Sequence, residues 1–254
     1  MPRRHLPGLT GLVFHVMNRA IEGVTLFEHP SAYDAFTRVL AEAGRRHTTG
    51  LLAYCVMPNH WHLVVQPTVD RVLSEYMRWL TTTHAQRWRQ ASCTRGRGAV
   101  YQGRFRWVPV EQDLHFLRLC LYVERNPVRA KLTTRAEQWR WSSAWQRDRN
   151  SCNGPTLTEW PVVRPAAWNE LLNEGSSPAA TDAIRECVSR GRPFGSPDWC
   201  ARTSALYRIS EEPPGRRPRP ATSARHGWLQ APMSCDPTTT PRKLSSVQNR
   251  LDGE

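Results

Sequence analysis

Two apolar segments joined by a short turn constrain the fold of this chain more than any other feature. Gly50–Met57 is a continuous apolar run, as expected of a buried strand, and His60–Gln66 has the pattern of a second strand. Between them lies Pro58-Asn59, a residue pair typical of turns. So short a connection pairs the two strands as an antiparallel hairpin. The chain is therefore expected to build its core around an antiparallel sheet.

The segments around this hairpin alternate between strand and helix patterns, and Ser31 and Asp113 are placed to cap two of the helices. The predicted elements are a strand at Leu12–Arg19, helices at Ser31–His47 and Leu73–Trp88, a strand at Tyr101–Val110, and a helix from Asp113 to about Asn126. The order β-α-β-β-α-β followed by a helix predicts an α+β protein of the ferredoxin-like or RRM-like kind. Helices on one face of its antiparallel sheet would leave the other face open for a ligand.

The composition changes after about residue 150, since 13 of the 20 prolines lie in residues 151–254. Glu159–Val188 still carries enough apolar residues for a small helical extension. Beyond about Glu211 the chain is rich in Pro, Ser, Thr and Arg, which predicts a disordered tail. The predicted organisation is thus a main domain at 1–150, a helical extension at 151–210 and a tail at 211–254.

Positive charge is concentrated in the first part of the chain. The formal net charge is +13, and residues 1–150 hold 22 basic and 11 acidic residues, against 13 and 11 in residues 151–254. No acidic residue lies between Glu75 and Glu111, where arginines alternate with Trp, Tyr and Phe. Such a composition favours a surface that binds phosphates and stacks unpaired bases. The alternative is a solvated helix face with buried aromatic residues. The arginines of this basic band are Arg78, Arg87, Arg89, Arg95, Arg97, Arg104 and Arg106.

Several classes of protein are excluded or disfavoured by absent patterns. No apolar run is long enough to span a bilayer, and no signal-peptide core follows the N-terminus, so we expect neither a membrane protein nor a secreted one. The seven cysteines are scattered and contain no CxxC pair, which argues against a disulfide framework or a zinc ribbon. These features favour a cytoplasmic protein.

His60-Trp61-His62 is the sharpest chemical feature. Residues i and i+2 of a strand point to the same side, so both imidazoles should project from one face and Trp61 from the other. Two adjacent imidazoles can form half of a divalent-metal site. Two structural histidines without a ligand are the alternative.

A second candidate cluster lies on the last predicted helix. Tyr122 and Asn126 are four residues apart and share one helical face, and Arg118 lies one turn earlier on the same side. Tyr122 is a candidate nucleophile, and the Asn126 amide oxygen could complete a metal shell. Alternatively, Tyr122 belongs to the core and Asn126 caps the helix before Pro127.

These clusters resemble the motifs of a known family. Met57–Val65 (MPNHWHLVV) is similar to the His-hydrophobe-His motif of the single-tyrosine HUH transposases, which are IS200-like transposases. Tyr122–Leu132 (YVERNPVRAKL) resembles their tyrosine helix, and Tyr101–Phe105 (YQGRF) their basic strand. FHVMNR near the start, WRWSS at 139–143 and RGRPFG at 190–195 match the REP-associated tyrosine transposases in particular. Two motifs in the correct order are more specific than either alone.

The resemblance implies an enzyme that cuts and rejoins single-stranded DNA. His60, His62 and Asn126 would hold Mg²⁺ or Mn²⁺, and Tyr122 would attack the scissile phosphate to form a 5′-phosphotyrosine intermediate. The implied substrate is a REP-like palindrome that folds into a hairpin, in the nucleoid of a bacterial cytoplasm. The residues predicted to contact this DNA are Arg78, Arg87, Arg89, Arg95, Arg97, Arg104, Arg106, Arg118, Trp107 and His15. For His15, on the strand expected beside the His pair, the alternatives are a place behind the metal ligands and a purely structural role.

Two other functions remain open at the level of sequence. An RRM-like sheet could bind structured nucleic acid without cutting it, and composition does not separate that function from the enzyme. A zinc hydrolase built on His60 and His62 lacks a further ligand at suitable spacing. Both a monomer and a homodimer are compatible with the sequence.

Overall fold

The computed structural model describes residues 11–69, 72–92, 98–175, 177–207 and 209. The predicted tail at 211–254 lies outside these residues. The strands are β1 (Val13–Arg19), β2 (Thr49–Met57), β3 (His60–Pro67) and β4 (Arg106–Val110). The helices are α1 (Pro30–Arg46), α2 (Val72–Ala91), α3 (Leu114–Glu124), α4 (Asn126–Arg129), α5 (Ser143–Asp148), α6 (Trp168–Glu174), α7 (Pro178–Arg190) and α8 (Pro197–Tyr207), with a 3₁₀ turn at Ala136–Gln138.

The four strands form one antiparallel sheet in the order β2-β3-β1-β4. This order places β1 in the centre, between the hairpin strand β3 and the late strand β4. The predicted α+β class and its β-α-β-β-α-β order are confirmed. The sheet register brings His15 opposite Val64 and Met17 opposite His62, so the two histidines are diagonal neighbours on one face.

The two faces of the sheet bury two separate cores. Helices α1 and α2 cover one face, where Phe36 and Leu80 pack against the sheet residues Phe14 and Trp61. Helix α3 covers the other face together with residues of α6 and α7. The expectation of an open sheet face is therefore wrong, because α3 is apolar enough to bury its own side chains there.

Residues of the predicted extension belong to the second core. Trp168 and Leu172 of α6 and Ile184 of α7 are buried in the same cluster as Phe116 of α3. Segments on both sides of residue 150 thus contribute to one apolar cluster.

Two motifs that the sequence marked only by resemblance cover the edges of the sheet. In the WRWSS segment, the Trp141 carbonyl accepts from the Val56 backbone N–H of edge strand β2 at 2.9 Å. In the RGRPFG segment, Phe194 donates to the Pro109 carbonyl of edge strand β4 at 2.9 Å and accepts from Glu111 at 3.0 Å. Unpaired strand edges template unwanted pairing, and these segments occupy part of each edge.

The element ends differ from prediction at the start of α1 and at the start of β4. Helix α1 is capped by His29 rather than Ser31, because Pro30 has the fixed φ that suits the first helical position. Strand β4 begins at Arg106, and Tyr101 makes only an isolated bridge to Ala20. Asp113 does cap α3, accepting from the His115 N–H at 2.7 Å.

Candidate active site

The predicted histidine pair lies at the start of β3, next to a third histidine from β1. The rings of His60 and His62 are 5.0 Å apart, and Trp61 is buried in the opposite core, as the strand alternation predicts. His15 Nε2 lies 2.9 Å from His62 Nδ1, and the two rings stack at 5.1 Å. Three imidazoles therefore share the face that α3 covers.

His15 does not contact solvent as a DNA-binding residue would. Its side chain is 1% exposed, and its hydrogen bond is to His62. Of the three roles considered for His15, this burial favours support of the His pair over direct contact with DNA. Burial on the central strand instead makes His15 a partner that orients His62.

Burial keeps the histidines neutral. It lowers the pKa of His60 to about 4, with help from the charges of Arg19 and Arg129, and it lowers the pKa of His15 to about 3. The pKa of His62 falls well below its ordinary value, first through burial and then through His60 and His15. Neutral imidazole is the form that binds metal ions, so near pH 7 no proton competes for these nitrogens.

The hydrogen bond of His60 decides which of its nitrogens is free. His60 Nδ1 lies 2.7 Å from the Asn59 side-chain oxygen, which can only accept. The proton is therefore on Nδ1, and the lone pair on Nε2 remains available. A metal-binding histidine commonly donates its other N–H to such an oxygen. The donor set at His60 and His62 thus fits a divalent ion.

Tyr122 packs directly over the histidines. Its ring centre is 5.8 Å from that of His62 and 6.2 Å from that of His15, both edge to face. Its side chain is 9% exposed. Helix α3 brings Tyr122 to this face because its other buried residues, such as Phe116 and Leu119, anchor the helix in the second core.

Asn126 lies beside Tyr122 but begins the short helix α4 rather than continuing α3. Its Nδ2 donates to the backbone carbonyls of Tyr122 at 3.0 Å and Val123 at 3.2 Å. Its Oδ1 accepts from Arg129. The amide thus satisfies the carbonyls at the end of α3, as a cap does, and its oxygen is held by an arginine.

Arg129 connects these two residues. Its guanidinium carbon is 4.4 Å from the centre of the Tyr122 ring, a cation–π distance. Burial lowers the pKa of the Arg129 guanidinium, and its attraction to Tyr122 opposes that shift. Sequence reasoning did not single out Arg129, although it lies one helical turn beyond the motif residue Asn126.

Glu124 is a second residue that the sequence did not assign. Its carboxylate is fully buried and accepts from the Ser143 hydroxyl and from Trp168 Nε1, the latter at 2.7 Å. Arg147 Nη1 lies 3.6 Å from the same carboxylate. The Glu124 side chain thus ties α3, the helix that carries Tyr122 and is called the tyrosine helix below, to α5 and α6. The signal in the sequence was an acid inside a strongly apolar helix.

The basic band is only partly free to bind DNA. Arg87 makes a bidentate pair with Glu42 of α1, at 2.8 and 2.9 Å, so the band does have a counter-charge in space. The Trp107 ring is half-buried and packs edge-on against Phe14 at 5.7 Å. Arg89 is partly buried. Arg95 and Arg97 lie outside the described residues. Arg87 is itself exposed, and the exposed members for which the structure records no ion pair are Arg78, Arg104 and Arg106. The predicted DNA contact Arg118 on α3 is exposed as well.

A different group of potential metal ligands comprises Glu111, Asp113 and His115. Two of these groups already have structural partners. Asp113 caps α3, and Glu111 accepts from the backbone N–H and hydroxyl of Ser196 before α8. The sequence did not predict this cluster.

Fold and site define an α+β protein in which a tyrosine helix covers the histidine face of an antiparallel sheet. Residues 9–126 match the family model described as "Transposase IS200 like". This segment belongs to the IS200-like transposase family, so the chain carries a transposase domain, an enzyme that acts on DNA. The predicted family is confirmed.

Two solved structures are similar to this one. A REP-associated tyrosine transposase bound to a REP hairpin has 20% identity and a TM-score of 0.47, and the match covers 66% of this chain and 95% of that one. A candidate transposase from Deinococcus radiodurans R1 has 15% identity and a TM-score of 0.35, with 61% and 98% covered. No curated protein sequence matches the chain. Within the described residues, no helix combines the length and the apolar character that crossing a membrane requires.

Proposed function

We propose that this transposase is a metal-dependent endonuclease and strand transferase that acts on single-stranded, hairpin-forming DNA through a covalent 5′-phosphotyrosine intermediate. The observation that carries the proposal is the packing of Tyr122 against His62, with ring centres 5.8 Å apart. A nucleophile and a candidate metal ligand come from distant parts of the chain, and the fold brings them together.

His60 and His62 are the residues that would hold Mg²⁺ or Mn²⁺. Both are neutral, and His60 presents Nε2 because its Nδ1 donates to Asn59. Asn126 is the proposed third ligand. Its Oδ1 would have to give up the hydrogen bond from Arg129 in order to bind the ion. A bound divalent ion would supply polarisation of the scissile phosphate.

Tyr122 is the proposed nucleophile. Its hydroxyl oxygen forms a bond to phosphorus while the bond from phosphorus to the 3′ oxygen breaks, and the phenolic proton ends on the released 3′-hydroxyl. The phosphotyrosine bond conserves the energy of the phosphodiester, so the same step in reverse rejoins strands. Arg129, next to the Tyr122 ring, places a positive charge where the phenol loses its proton.

Arg78, Arg104 and Arg106 are proposed to bind the phosphates of the DNA, because they are exposed and no ion pair is recorded for them among the described residues. The REP-like hairpin as substrate and Mg²⁺ or Mn²⁺ as metal follow from the motif resemblance. So does a place in the bacterial cytoplasm with the nucleoid. We also propose residues 1–150 as the catalytic part and residues 151–210 as its extension.

A purely RRM-like function receives no support from the sheet. RNA-binding sheets of that kind present stacking aromatic residues on an open face. Here α3 covers the face opposite α1 and α2, and Tyr122 is 9% exposed.

Formation of a protein–DNA adduct tests the proposal. The full chain is incubated with hairpin-bearing single strands and Mn²⁺, and the adduct is resolved on a denaturing gel. We expect Tyr122→Phe to bind DNA and form no adduct, because only the hydroxyl is lost. Tyr76→Phe, a buried tyrosine on the opposite face, is the matched control and should form adduct like the wild type. Cleavage by Tyr122→Phe, or binding without any wild-type adduct, would contradict the proposal.

A further inference from the structure

A cleft beside Tyr122 is lined by three arginines, two of which, Arg125 and Arg185, have no role in the proposed chemistry. It has a volume of about 350 Å³ and lies between the tyrosine helix with α4 on one side and α7 on the other. Such a volume lies within the range of small-ligand pockets, about 300–1,000 Å³. Its polar and charged lining residues are Tyr122, Arg125, Arg129, Thr181, Asp182 and Arg185.

The charge of this cleft points to an anion. Three guanidinium groups and only one carboxylate line the cleft. The positive charge of Arg185 contributes to lowering the pKa of Arg129. Arg185 pairs with Asp182 at 3.1 Å, but both side chains are more than half exposed, so this pair is weak. A phosphate could therefore compete for Arg185 without breaking a strong interaction.

Arg125 has spare hydrogen-bonding capacity within the described part of the chain. Its Nε is buried without a hydrogen-bond partner, and its Nη2 makes only a long contact of 3.5 Å to the Asn173 carbonyl. Buried donors are nearly always satisfied by protein, water or ligand. The side chain crosses Gly175, where a Cβ would lie 1.4 Å from Nη1, so Arg125 depends on a glycine at that position.

The remaining lining is apolar. Leu121, Val128 and Pro178 complete the cleft. A group with both a phosphate and an apolar part suits such a lining, whereas a free inorganic ion would use only its charged side. One nucleotide of a DNA strand has this character.

We infer that the cleft binds one nucleotide of single-stranded DNA next to the scissile phosphate, with Arg125 and Arg185 contacting its phosphate. This inference rests on the proposed function, because only a protein that cleaves DNA has a scissile phosphate. It assigns a DNA contact to α7, in the C-terminal extension, where basic and acidic residues are nearly balanced along the chain. Residues of α7 would thus line one side of the substrate site, and residues of α3 and α4 the other.

The test uses the full chain and two matched variants of α7. Arg185→Gln removes a cleft arginine, and Arg190→Gln removes an arginine of the same helix that is likewise exposed and paired with an acid, Glu186 at 3.0 Å, but does not line the cleft. Affinity for an oligothymidylate strand is measured by fluorescence anisotropy over a series of salt concentrations. Loss of one single-strand phosphate contact should reduce the slope of log affinity against log salt by about 0.7.

We expect Arg185→Gln to bind the strand several-fold more weakly with this reduced slope, and Arg190→Gln to keep the wild-type slope. Arg125→Gln, checked for folding by urea denaturation, should behave like Arg185→Gln. Equal slopes for all variants and the wild type, or equal losses of affinity in Arg185→Gln and Arg190→Gln, would overturn the inference that the cleft binds a nucleotide.

The adduct assay separates this inference from the proposed function. If the wild type forms adduct while the slopes are equal, the cleft is wrong and the proposed function stands. If Arg185→Gln and Arg125→Gln lose slope, Arg190→Gln keeps it, and the wild type forms no adduct, the cleft binds single-stranded DNA and the nuclease proposal fails.

Discussion

Each face of the sheet buries a histidine that contacts another ring through a ring nitrogen, His84 on one face and His15 on the other, and these two histidines differ in how completely their nitrogens are paired. On the α1–α2 face, the Tyr101 hydroxyl lies 2.6 Å from His84 Nδ1 and accepts from Trp61 Nε1 at 3.1 Å. On the α3 face, His15 contacts His62, but its Nδ1 is buried without a hydrogen-bond partner among the described residues. A buried polar group without a partner calls for an explanation, and at His15, which contacts the candidate metal ligand His62, a bound ligand would supply one.

Removal of one histidine from each face gives the largest contrast. His60→Ala should lower metal-dependent adduct formation by at least roughly 100-fold, because a direct ligand matters more than the residues that orient it. His60 is partly exposed, so the fold should survive. His84→Gln should retain Mn²⁺ affinity and lose stability instead, because its role is to fill a core. Calorimetric Mn²⁺ titration and the adduct assay measure the first effect, and urea denaturation the second.

The contrast fails if both substitutions reduce Mn²⁺ affinity equally, since the metal would then not be held by the α3 face. It also fails if His60→Ala binds Mn²⁺ like the wild type.

An acid on each face provides a second comparison. Glu124→Ala should reduce the free energy of unfolding by about 3–5 kcal/mol, because it leaves Arg147 buried without its charge partner. Glu42→Ala removes a shorter, bidentate pair with Arg87, but at the surface, and should cost under about 1 kcal/mol. Urea denaturation measures both. Similar losses for the two variants would show that Glu124 does not tie the tyrosine helix to α5 and α6.

Local periodicity explains why much of the fold could be predicted. Strand alternation alone assigned His60 and His62 to one side and Trp61 to the other, and the Pro58-Asn59 turn fixed the hairpin. The pairing of His15 with His62 required the register between β1 and β3, which no local pattern contains. For the same reason the partners of Glu124, on α5 and α6, could not be predicted.

The basic band shows the limit of reasoning from composition. No acid lies between Glu75 and Glu111 along the chain, yet Glu42 on the neighbouring helix α1 neutralises Arg87. Arg185 shows the converse, since it lies in a nearly neutral region and still lines a cationic cleft. Electrostatic surfaces depend on which helices become neighbours, and that follows from packing.

Lowering the pH should reduce the free energy of unfolding through the buried histidines of both faces. Substitution of His84 isolates the contribution of the α1–α2 face, which is the smaller one. Burial lowers the pKa of His84 from 6.5 to about 3. The unfolded chain therefore takes up a proton near pH 6.5 that the folded protein does not accept until about pH 3, so stability falls as the pH falls through this window. Between pH 7 and pH 5 the loss is about 2 kcal/mol for one such histidine.

Urea denaturation of His84→Gln at the two pH values should show a pH-dependent loss smaller by about this amount. The histidines of the α3 face contribute to the pH dependence that remains, and added Mn²⁺ should reduce their share because the ion competes with protons for their nitrogens. An unchanged pH dependence in His84→Gln would mean that His84 already accepts a proton in the folded core, and the two faces would then not differ in the way their networks indicate.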